Sequence, residues 1–261
     1  MKFSSYQMEI VVGNPEINRK KVREWVERTV VNEDPDTVVL PELWTTGFKL
    51  ESLKELGDNA GETTKSFLSE LAKEFTVNII GGSVANVVDE KVYNTSYIYD
   101  SKGNLVYEYS KIHLVPMLDE HLFLTGGNEK VEIFELDGMK MGVIICYDLR
   151  FPELARSLAL QGAQVMFITA QWPIERINHW RNIQLARAIE NQMYVISSNS
   201  VGTHNGVQYG GTSMMTDPWG EIINEASIEK EETLTGNLDV ERVIEVRREV
   251  PIFDSRVPKL Y

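Results

Sequence analysis

Cys146 is the only cysteine among the 261 residues of the chain, and it stands where a strand is predicted to become a helix. The preceding residues 141–145 are apolar and β-branched, which is typical of a buried strand. A helix is predicted from Pro152 onward. A thiol at such a corner lies near backbone N–H groups whose dipoles favour the thiolate. The position therefore indicates a reactive nucleophile, with a buried and inert cysteine as the alternative.

Two charged residues also follow predicted strands. Glu42 comes after the short apolar run 36–40 and Pro41, and Lys111 ends the second strand of a hairpin around the turn 101–104. Burying either charge alone would cost several kcal/mol, so we expect each to have a partner. Together with Cys146 they would supply a nucleophile, a carboxylate base and an ammonium donor. A Cys–His pair that uses His113, two residues beyond Lys111, is the alternative.

The composition limits the class of protein. With 43% apolar residues the chain can bury a sizeable core, and no boundary divides residues 1–261, which we interpret as one domain. The net charge of −13 argues against nucleic-acid and anionic-membrane partners. A single cysteine suits a reducing compartment, no signal peptide is indicated, and the apolar runs are too short to cross a bilayer, so we expect a cytoplasmic protein.

Strand and helix patterns alternate along the chain. Strands are predicted at residues 2–12, 36–40, 76–86, 91–100, 103–111, 131–136, 140–146, 164–170, 193–201, 206–217 (a pair), 221–226 and 231–239. Helices are predicted from an Asn14 cap to about Val30, from Thr63, from Pro152, up to Gln192 and over residues 240–249. Residues 113–128 read as a long functional loop. This order indicates an α/β sandwich with mixed sheets.

The three strand ends also carry sequence motifs. PELWTTGF, YSKIHL and VIICYDLRFPELAR contain Glu42, Lys111 and Cys146, and in this wording the chain resembles the nitrilase superfamily of carbon–nitrogen hydrolases. DEHLFLTGGN, the block from NHW to SVG, GGTSMMTDPWG and the tail extend the similarity over nearly the whole chain. The details look like the omega-amidase branch. The resemblance implies a four-layer α-β-β-α sandwich that forms a homodimer, with the tail of about residues 250–261 near the partner.

The same resemblance implies an activity and its residues. The branch hydrolyses the terminal amide of 2-oxoglutaramate and 2-oxosuccinamate without a cofactor. By position, Glu42 would be the general base, Lys111 the oxyanion donor, Cys146 the nucleophile and Glu120 the second glutamate. In the thioester mechanism that follows, the backbone N–H of Tyr147 would be a further oxyanion donor. Glu120 would hold Lys111 or the substrate amide, with a solvated loop carboxylate as the alternative.

The substrate of such an amidase also carries a carboxylate. Arginine matches a carboxylate bidentately, so Arg150 and Arg176 are candidates, although for Arg150 we favour a structural pairing with Asp148. Trp172 and Phe48 are candidates for the pocket wall, with the core as the alternative. His113 is a candidate for orienting the site, with a structural role equally open.

Other functions remain open at this point. The cluster Asp119-Glu120-His121 has no zinc-site spacing, so no metal site is predicted. A hydrolase of N-carbamoyl compounds or a nitrilase would use the same triad. A thiol redox or Cys–His enzyme, or a non-catalytic binder of a small ligand, would be a different class of protein.

Overall fold

Two stacked β-sheets form the centre of the computed structural model, which describes residues 1–204 and 206–260. The α-helices are α1 (Pro15–Glu33), α2 (Leu53–Leu56), α3 (Glu62–Phe75), α4 (Pro152–Leu160), α5 (Ile177–Asn191) and α6 (Val240–Glu249). Short 3-10 helices cover Leu50–Ser52, Pro116–Leu118, Glu120–Leu122, Cys146–Arg150, Ile174–Arg176 and Pro258–Leu260.

The strands follow the β–α alternation of the sequence. They are β1 (Lys2–Gln7), β2 (Thr37–Val39), β3 (Asp58–Asn59), β4 (Asn78–Ile80), β5 (Val84–Val88), β6 (Lys91–Tyr99), β7 (Leu105–Ser110), β8 (Phe134–Leu136), β9 (Met139–Ile145), β10 (Val165–Ala170), β11 (Tyr194–Asn199), β12 (Val201–His204), β13 (Val207–Gly210), β14 (Met214–Thr216), β15 (Ile222–Glu225) and β16 (Glu232–Asn237).

Both sheets mix parallel and antiparallel strands. Of the described strands, eight form the first sheet in the order β16-β1-β2-β4-β6-β5-β3, with β7 also paired to β6. Six form the second sheet in the order β15-β14-β11-β10-β9-β8, while β12 and β13 pair as a separate hairpin. The strands β1, β2 and β4 run parallel, as do β9, β10 and β11.

The sheets face each other across an apolar layer, and helices cover their outer faces. Phe3 of the first sheet packs on Phe167 of the second, with ring centroids 5.9 Å apart. On the outer face of the first sheet, Val38 packs in a cluster with Trp25 of α1 and Leu68 of α3. The helices α4 and α5 pack on the second sheet. This arrangement is the four-layer α-β-β-α sandwich with mixed sheets, and the predicted fold class is confirmed.

Local signals account for several element boundaries. The Asn14 side chain accepts a hydrogen bond from the backbone N–H of Ile17 (3.3 Å), as expected of a helix cap, and α1 follows it. The predicted hairpin forms between β6 and β7, and α6 covers the predicted residues 240–249.

Three other predictions about the elements were wrong. The strand predicted over residues 76–86 is two strands, because the chain turns at Gly81 and Gly82. The strands predicted as a pair over 206–217 do not pair with each other, since β13 pairs with β12 and β14 pairs with β11 and β15. The sequence of the tail after Pro251 shows no obvious partner within the domain, but Phe253 is partly buried against the core.

The topology brings several strand ends to one place. The carboxyl ends of parallel strands meet at one edge of a sheet, so Cys146 after β9 and Gln171 after β10 lie side by side. The residues that follow β2 and β7 approach the same place from the opposing sheet, since the Glu42 carboxylate accepts a hydrogen bond from Gln171 and from Lys111. No helix of the described chain is long and apolar enough to span a membrane.

Candidate active site

Glu42 follows β2 and is completely buried. One carboxylate oxygen, Oε1, accepts hydrogen bonds from the Lys111 ammonium and from Asn94 Nδ2, both at 2.9 Å. The other oxygen accepts from the backbone N–H of Gln171 at 2.9 Å. These donors fix the direction of the carboxylate and hold its charge without bulk water.

Lys111 lies between two carboxylates. Its ammonium nitrogen is 2.9 Å from Glu42 Oε1, 2.9 Å from Glu120 Oε1 and 3.1 Å from Glu120 Oε2, and all three side chains are completely buried. Burial acts to lower the pKa of the ammonium, but the charges of Glu42 and Glu120 outweigh it and raise that pKa above its usual range. Lys111 is therefore a fixed cation.

Glu120 starts the 3-10 helix Glu120–Leu122 within the long loop. Besides Lys111, its carboxylate accepts a hydrogen bond from the backbone N–H of Val115 at 2.8 Å. Burial raises the pKa of the Glu120 carboxyl, while the Lys111 charge opposes this. The alternative of a solvated loop carboxylate is wrong, because the side chain is completely buried.

Cys146 begins the 3-10 helix Cys146–Arg150 directly after β9. Its backbone is in the left-handed region, with φ of 50°. Burial raises the pKa of the thiol well above its usual value, and the charge and hydrogen bonding of Glu42 raise it further, while Lys111 lowers it. The expectation that local helix dipoles favour a thiolate was therefore wrong. The 3-10 turn separates Cys146 from α4, and desolvation dominates.

The 3-10 turn also positions Tyr147 and Asp148. Tyr147 is the second residue of this helix, so its N–H has no acceptor within the helix. Asp148 accepts hydrogen bonds from the hydroxyl of Tyr109 (2.7 Å) and from His113 Nδ1 (2.8 Å). The favoured pairing of Arg150 with Asp148 was wrong, since the carboxylate accepts hydrogen bonds from Tyr109, from the His113 ring and from the backbone N–H groups of His113 and Ile145.

His113 is bound away from the thiol. Its ring stacks on Phe151, with centroids 3.5 Å apart, and its Nδ1 contacts Asp148. The charged groups that act on the thiol are Glu42, Lys111 and Glu120. This arrangement disfavours the Cys–His alternative and gives His113 a structural contact instead of a place in the cavity wall.

A cavity opens at Cys146. It is lined by apolar and aromatic side chains together with two arginines: Phe48, Val115, Met117, Leu118, Cys146, Tyr147, Arg150, Gln171, Trp172, Pro173 and Arg176. Phe48 and Trp172 therefore face the cavity, and Trp172 is also part of the core. Such a site, mostly apolar with a few convergent polar groups, is typical of a small-molecule pocket.

The two arginines of this cavity, Arg150 and Arg176, carry positive charges that no acidic side chain of the described residues neutralises. The Arg150 guanidinium lies 4.6 Å from the Trp172 ring centroid, and its Nη1 is 3.4 Å from His179 Nδ1. Burial lowers the pKa of Arg150, and the neighbouring charge of Arg176 lowers it further. Across residues 1–204 and 206–260, neither arginine forms an ion pair with an acidic side chain. Two adjacent cations in a cavity favour an anionic ligand.

Comparison with known proteins identifies the family. The model of the carbon–nitrogen hydrolase family matches residues 2–248. The chain belongs to this family. It is 42% identical over 258 residues to the 2-oxoglutaramate amidase of Bacillus subtilis (strain 168), which covers 99% of this chain and 98% of that protein. It is 35% identical over 221 residues to the omega-amidase YafV of Escherichia coli (strain K12), covering 84% of each.

Solved structures agree with the sequence relatives. Nit3 of Saccharomyces cerevisiae, a member of branch 10 of the nitrilase superfamily, superposes with a TM-score of 0.89 at 29% identity, over 97% of this chain and 94% of that chain. A carbon–nitrogen hydrolase from Helicobacter pylori G27 gives a TM-score of 0.91 at 25% identity, over 100% and 96% of the two chains. The chain is thus an amidase, a hydrolase of carbon–nitrogen bonds, as its motifs predicted.

Sequence reasoning missed two partners of Glu42 in this carbon–nitrogen hydrolase. Asn94 lies on β6, 52 residues from Glu42, and only the fold brings its amide to the carboxylate. Gln171 gives Glu42 both a backbone N–H and, through Nε2, a hydrogen bond to the Glu42 carbonyl (2.8 Å). Gln171 could have been found, because it directly follows a buried strand, as Glu42 and Cys146 do.

The predicted absence of a metal site is not contradicted in the described ranges. Residues 1–204 and 206–260 contain no group of three or more His, Cys, Asp or Glu side chains arranged to hold a metal ion. In the Asp119-Glu120-His121 cluster, the buried Glu120 carboxylate instead accepts a hydrogen bond from the Lys111 ammonium.

Proposed function

We propose that this amidase hydrolyses the terminal amide of a 2-oxo dicarboxylic acid monoamide, 2-oxoglutaramate or 2-oxosuccinamate, releasing ammonia. The observation that carries the proposal is the cavity that joins Cys146 to Arg150 and Arg176, neither of which forms an ion pair with an acidic side chain of the described residues. An amide placed at the sulfur would put a carboxylate a few bonds away within reach of the guanidinium groups. The relatives named 2-oxoglutaramate amidase and omega-amidase support the same substrate class.

The proposed first half-reaction is acylation of Cys146. The thiol is protonated in the resting enzyme because its pKa is raised, so its proton passes to the Glu42 carboxylate as the sulfur attacks the amide carbonyl. The carbonyl oxygen gains negative charge, which the Lys111 ammonium and the N–H of Tyr147 stabilise. The Glu42 carboxyl then gives its proton to the departing nitrogen, and ammonia leaves.

The second half-reaction releases the acid. Glu42, again a carboxylate, takes a proton from a water molecule that attacks the thioester carbonyl. The same oxyanion donors stabilise the second tetrahedral intermediate, and its collapse returns the proton to Cys146. The three donors on Glu42 keep its carboxylate in one orientation for both steps. Glu120 acts through Lys111, because its two oxygens hold the ammonium in place.

Ammonia release across a substrate panel tests this proposal. The panel contains 2-oxoglutaramate, 2-oxosuccinamate, glutamine, asparagine, N-carbamoyl amino acids and a small nitrile. We expect the highest kcat/KM with the two 2-oxo amides. A clear preference for carbamoyl amino acids or nitriles would contradict the substrate assignment and leave the family membership intact.

The role of the two arginines is tested separately. Arg150→Ala and Arg176→Ala are each expected to lower kcat/KM for 2-oxoglutaramate by about 10- to 100-fold, since a charge-assisted hydrogen bond contributes about 1.5–3 kcal/mol. The loss should lie mainly in KM, and turnover of a short aliphatic amide without a carboxylate should change little. Arg181→Ala is the matched control, because Arg181 pairs with Glu225 outside the cavity. Equal losses with the acidic and the neutral amide would contradict carboxylate binding.

We also propose that the enzyme is a cytoplasmic homodimer that binds neither nucleic acid nor membranes. A single cysteine and a net charge of −13 support the compartment and the lack of anionic partners. Exposed apolar side chains support the dimer: Leu160 of α4, Ile189 of α5, Ile244 of α6, Trp219 and Val250. The tail of about residues 250–261 would lie near this interface. A monomer by light scattering at micromolar concentration would contradict the dimer.

A further inference from the structure

Asp148 is a buried carboxylate that the proposed mechanism does not use. Its side chain is completely buried and accepts four hydrogen bonds. Oδ1 accepts from the backbone N–H of His113 (3.0 Å) and from His113 Nδ1 (2.8 Å). Oδ2 accepts from the hydroxyl of Tyr109 (2.7 Å) and the backbone N–H of Ile145 (3.2 Å). A buried carboxylate requires such donors, because an unpaired one would cost several kcal/mol.

Asp148 and its hydrogen-bond donors flank two of the proposed catalytic residues, Lys111 and Cys146. Tyr109 and His113 stand two residues before and two residues after Lys111. Ile145 is the residue before Cys146, and Asp148 itself lies two residues after it. The hydrogen bonds to Asp148 therefore link the segment that carries Lys111 to the turn that carries Cys146, although the bonded residues are 35 to 39 positions apart in the chain.

The backbone of the turn at Cys146 needs such contacts to keep its conformation. A non-glycine residue with a φ of 50° has a strained backbone, which persists only where the surrounding structure holds it. The hydrogen bond from Ile145 to Asp148 holds the entry to the turn. The stacking of His113 on Phe151 holds its exit, because Phe151 directly follows the 3-10 helix.

We propose that Asp148 is a positioning residue that sets the separation between the Lys111 ammonium and the Cys146 sulfur through its bonds to Tyr109 and His113. The proposal rests on the proposed roles of Lys111 and Cys146. It implies that His113 contributes to turnover through its hydrogen bond to Asp148, without touching the substrate. Loss of the hydrogen bonds to Asp148 would let the Lys111 ammonium shift relative to the Cys146 sulfur and to the oxyanion. A misplacement of about 1 Å is enough to reduce a rate about 100-fold.

The test compares two substitutions of the same histidine. His113→Phe keeps a ring to stack on Phe151 but removes the donor to Asp148. His113→Asn restores an N–H donor close to the position of Nδ1. We expect His113→Phe to lower kcat for 2-oxoglutaramate by about 10- to 100-fold per titrated active site with little change in KM. His113→Asn should recover most of the loss.

Tyr109→Phe removes the donor on the other side of Lys111 and should lower kcat in the same way. Its matched control is Tyr107→Phe on the same strand, since the Tyr107 hydroxyl accepts a hydrogen bond from the backbone N–H of Glu132 and does not touch Asp148. The double variant Tyr109→Phe/His113→Phe should lose less than the product of the single losses, because both donors act through one carboxylate.

A second readout does not depend on the substrate. Iodoacetamide alkylates thiolates, and Cys146 is the only cysteine of the chain. The Lys111 charge lowers the pKa of its thiol against the opposing effects of burial, Glu42 and Glu120. Displacing Lys111 should therefore move the pH profile of alkylation to higher pH in His113→Phe, and His113→Asn should move it back. A purely structural role would lower the melting temperature without moving this profile.

The outcomes separate the two proposals. Loss of kcat together with a shifted alkylation profile, both reversed in His113→Asn, supports the positioning role. Unchanged kcat per active site and an unchanged profile in His113→Phe overturn it, whatever happens to the melting temperature. If the wild-type enzyme fails to hydrolyse 2-oxo amides, the proposed substrate is wrong, and the alkylation profiles alone decide on Asp148.

Discussion

Replacing Glu42 with glutamine should change activity and thiol acidity in opposite senses. Glu42→Gln keeps the size of the side chain and removes its negative charge. In the proposed mechanism this carboxylate moves a proton in both half-reactions, and general acid–base catalysis contributes about 10²- to 10⁴-fold. We therefore expect kcat to fall by that factor, which corresponds to about 3–5 kcal/mol on the barrier.

The thiol should respond in the other direction. After burial, the charge of Glu42 is the largest cause that raises the pKa of Cys146, and its hydrogen bond to the thiol adds to it. Without that charge Lys111 still lies beside the sulfur, so the thiol pKa should fall and alkylation by iodoacetamide should begin at lower pH. The variant would then have a more acidic cysteine and a slower reaction, which separates proton transfer from simple thiolate formation.

The Glu42→Gln variant should still fold, with a moderate loss in the free energy of unfolding. An amide nitrogen cannot accept the hydrogen bond from the backbone N–H of Gln171, and one unmatched buried group costs about 1–3 kcal/mol. Ammonia release, the alkylation profile and urea unfolding measure the three effects. Glu74→Gln is the control, because Glu74 pairs with Arg23 at the surface. Activity within tenfold of wild type, or an alkylation profile moved to higher pH, would contradict the proposed role of Glu42 in proton transfer.

Two further predictions concern stability and backbone approach. Lys111→Met leaves the carboxyls of Glu42 and Glu120 buried without their cation, so urea unfolding at pH 7 should show a loss of about 3–5 kcal/mol. Because burial raises the folded-state pKa of the Glu120 carboxyl, the folded variant takes up protons before the unfolded chain does, and part of the loss should return as the pH falls; a loss that grows on acidification argues against this. Gly82→Ala adds a Cβ that would overlap the Pro41 carbonyl oxygen next to Glu42, at a φ of 61°, and should lower both the melting temperature and kcat. Gly138→Ala has a similar φ of 78° and open space around its Cβ, so it should lower stability by about 1–2 kcal/mol and leave kcat unchanged; equal kcat in both variants contradicts the idea that Gly82 positions Glu42.

The sequence predicted where the reacting groups stand along the chain. Short apolar runs that end at Pro41 and at Cys146 mark buried strands, so Glu42 and Cys146 were expected at strand ends. The burial cost of an isolated charge predicted that Glu42 and Lys111 would have partners, and the structure pairs them with each other. These inferences need only local patterns and the energy of charge burial.

The pairing of more distant groups needed the fold. Asn94 reaches Glu42 because β2 and β6 lie in the same sheet with only β4 between them, and Tyr109 of β7 reaches Asp148 because the two sheets face each other. Arg150 was expected to pair with its sequence neighbour Asp148, but that carboxylate already accepts three hydrogen bonds from the Lys111 segment and one from Ile145. The expected effect of helix dipoles on Cys146 was outweighed for a related reason, since burial raises the pKa of its thiol and the Glu42 charge, which comes from the opposing sheet, raises it further.

In the proposed mechanism Cys146 carries the acyl group of the substrate as a thioester. Rapid acid quenching of the enzyme with 2-oxoglutaramate, followed by mass spectrometry of the Cys146 peptide, would detect this intermediate. We expect a transient mass increase equal to a 2-oxoglutaryl group on Cys146. We also expect Cys146→Ala to fold normally and to show neither the adduct nor ammonia release. Turnover by Cys146→Ala, or rapid wild-type turnover with no adduct on this cysteine at any quench time, would rule out the thioester.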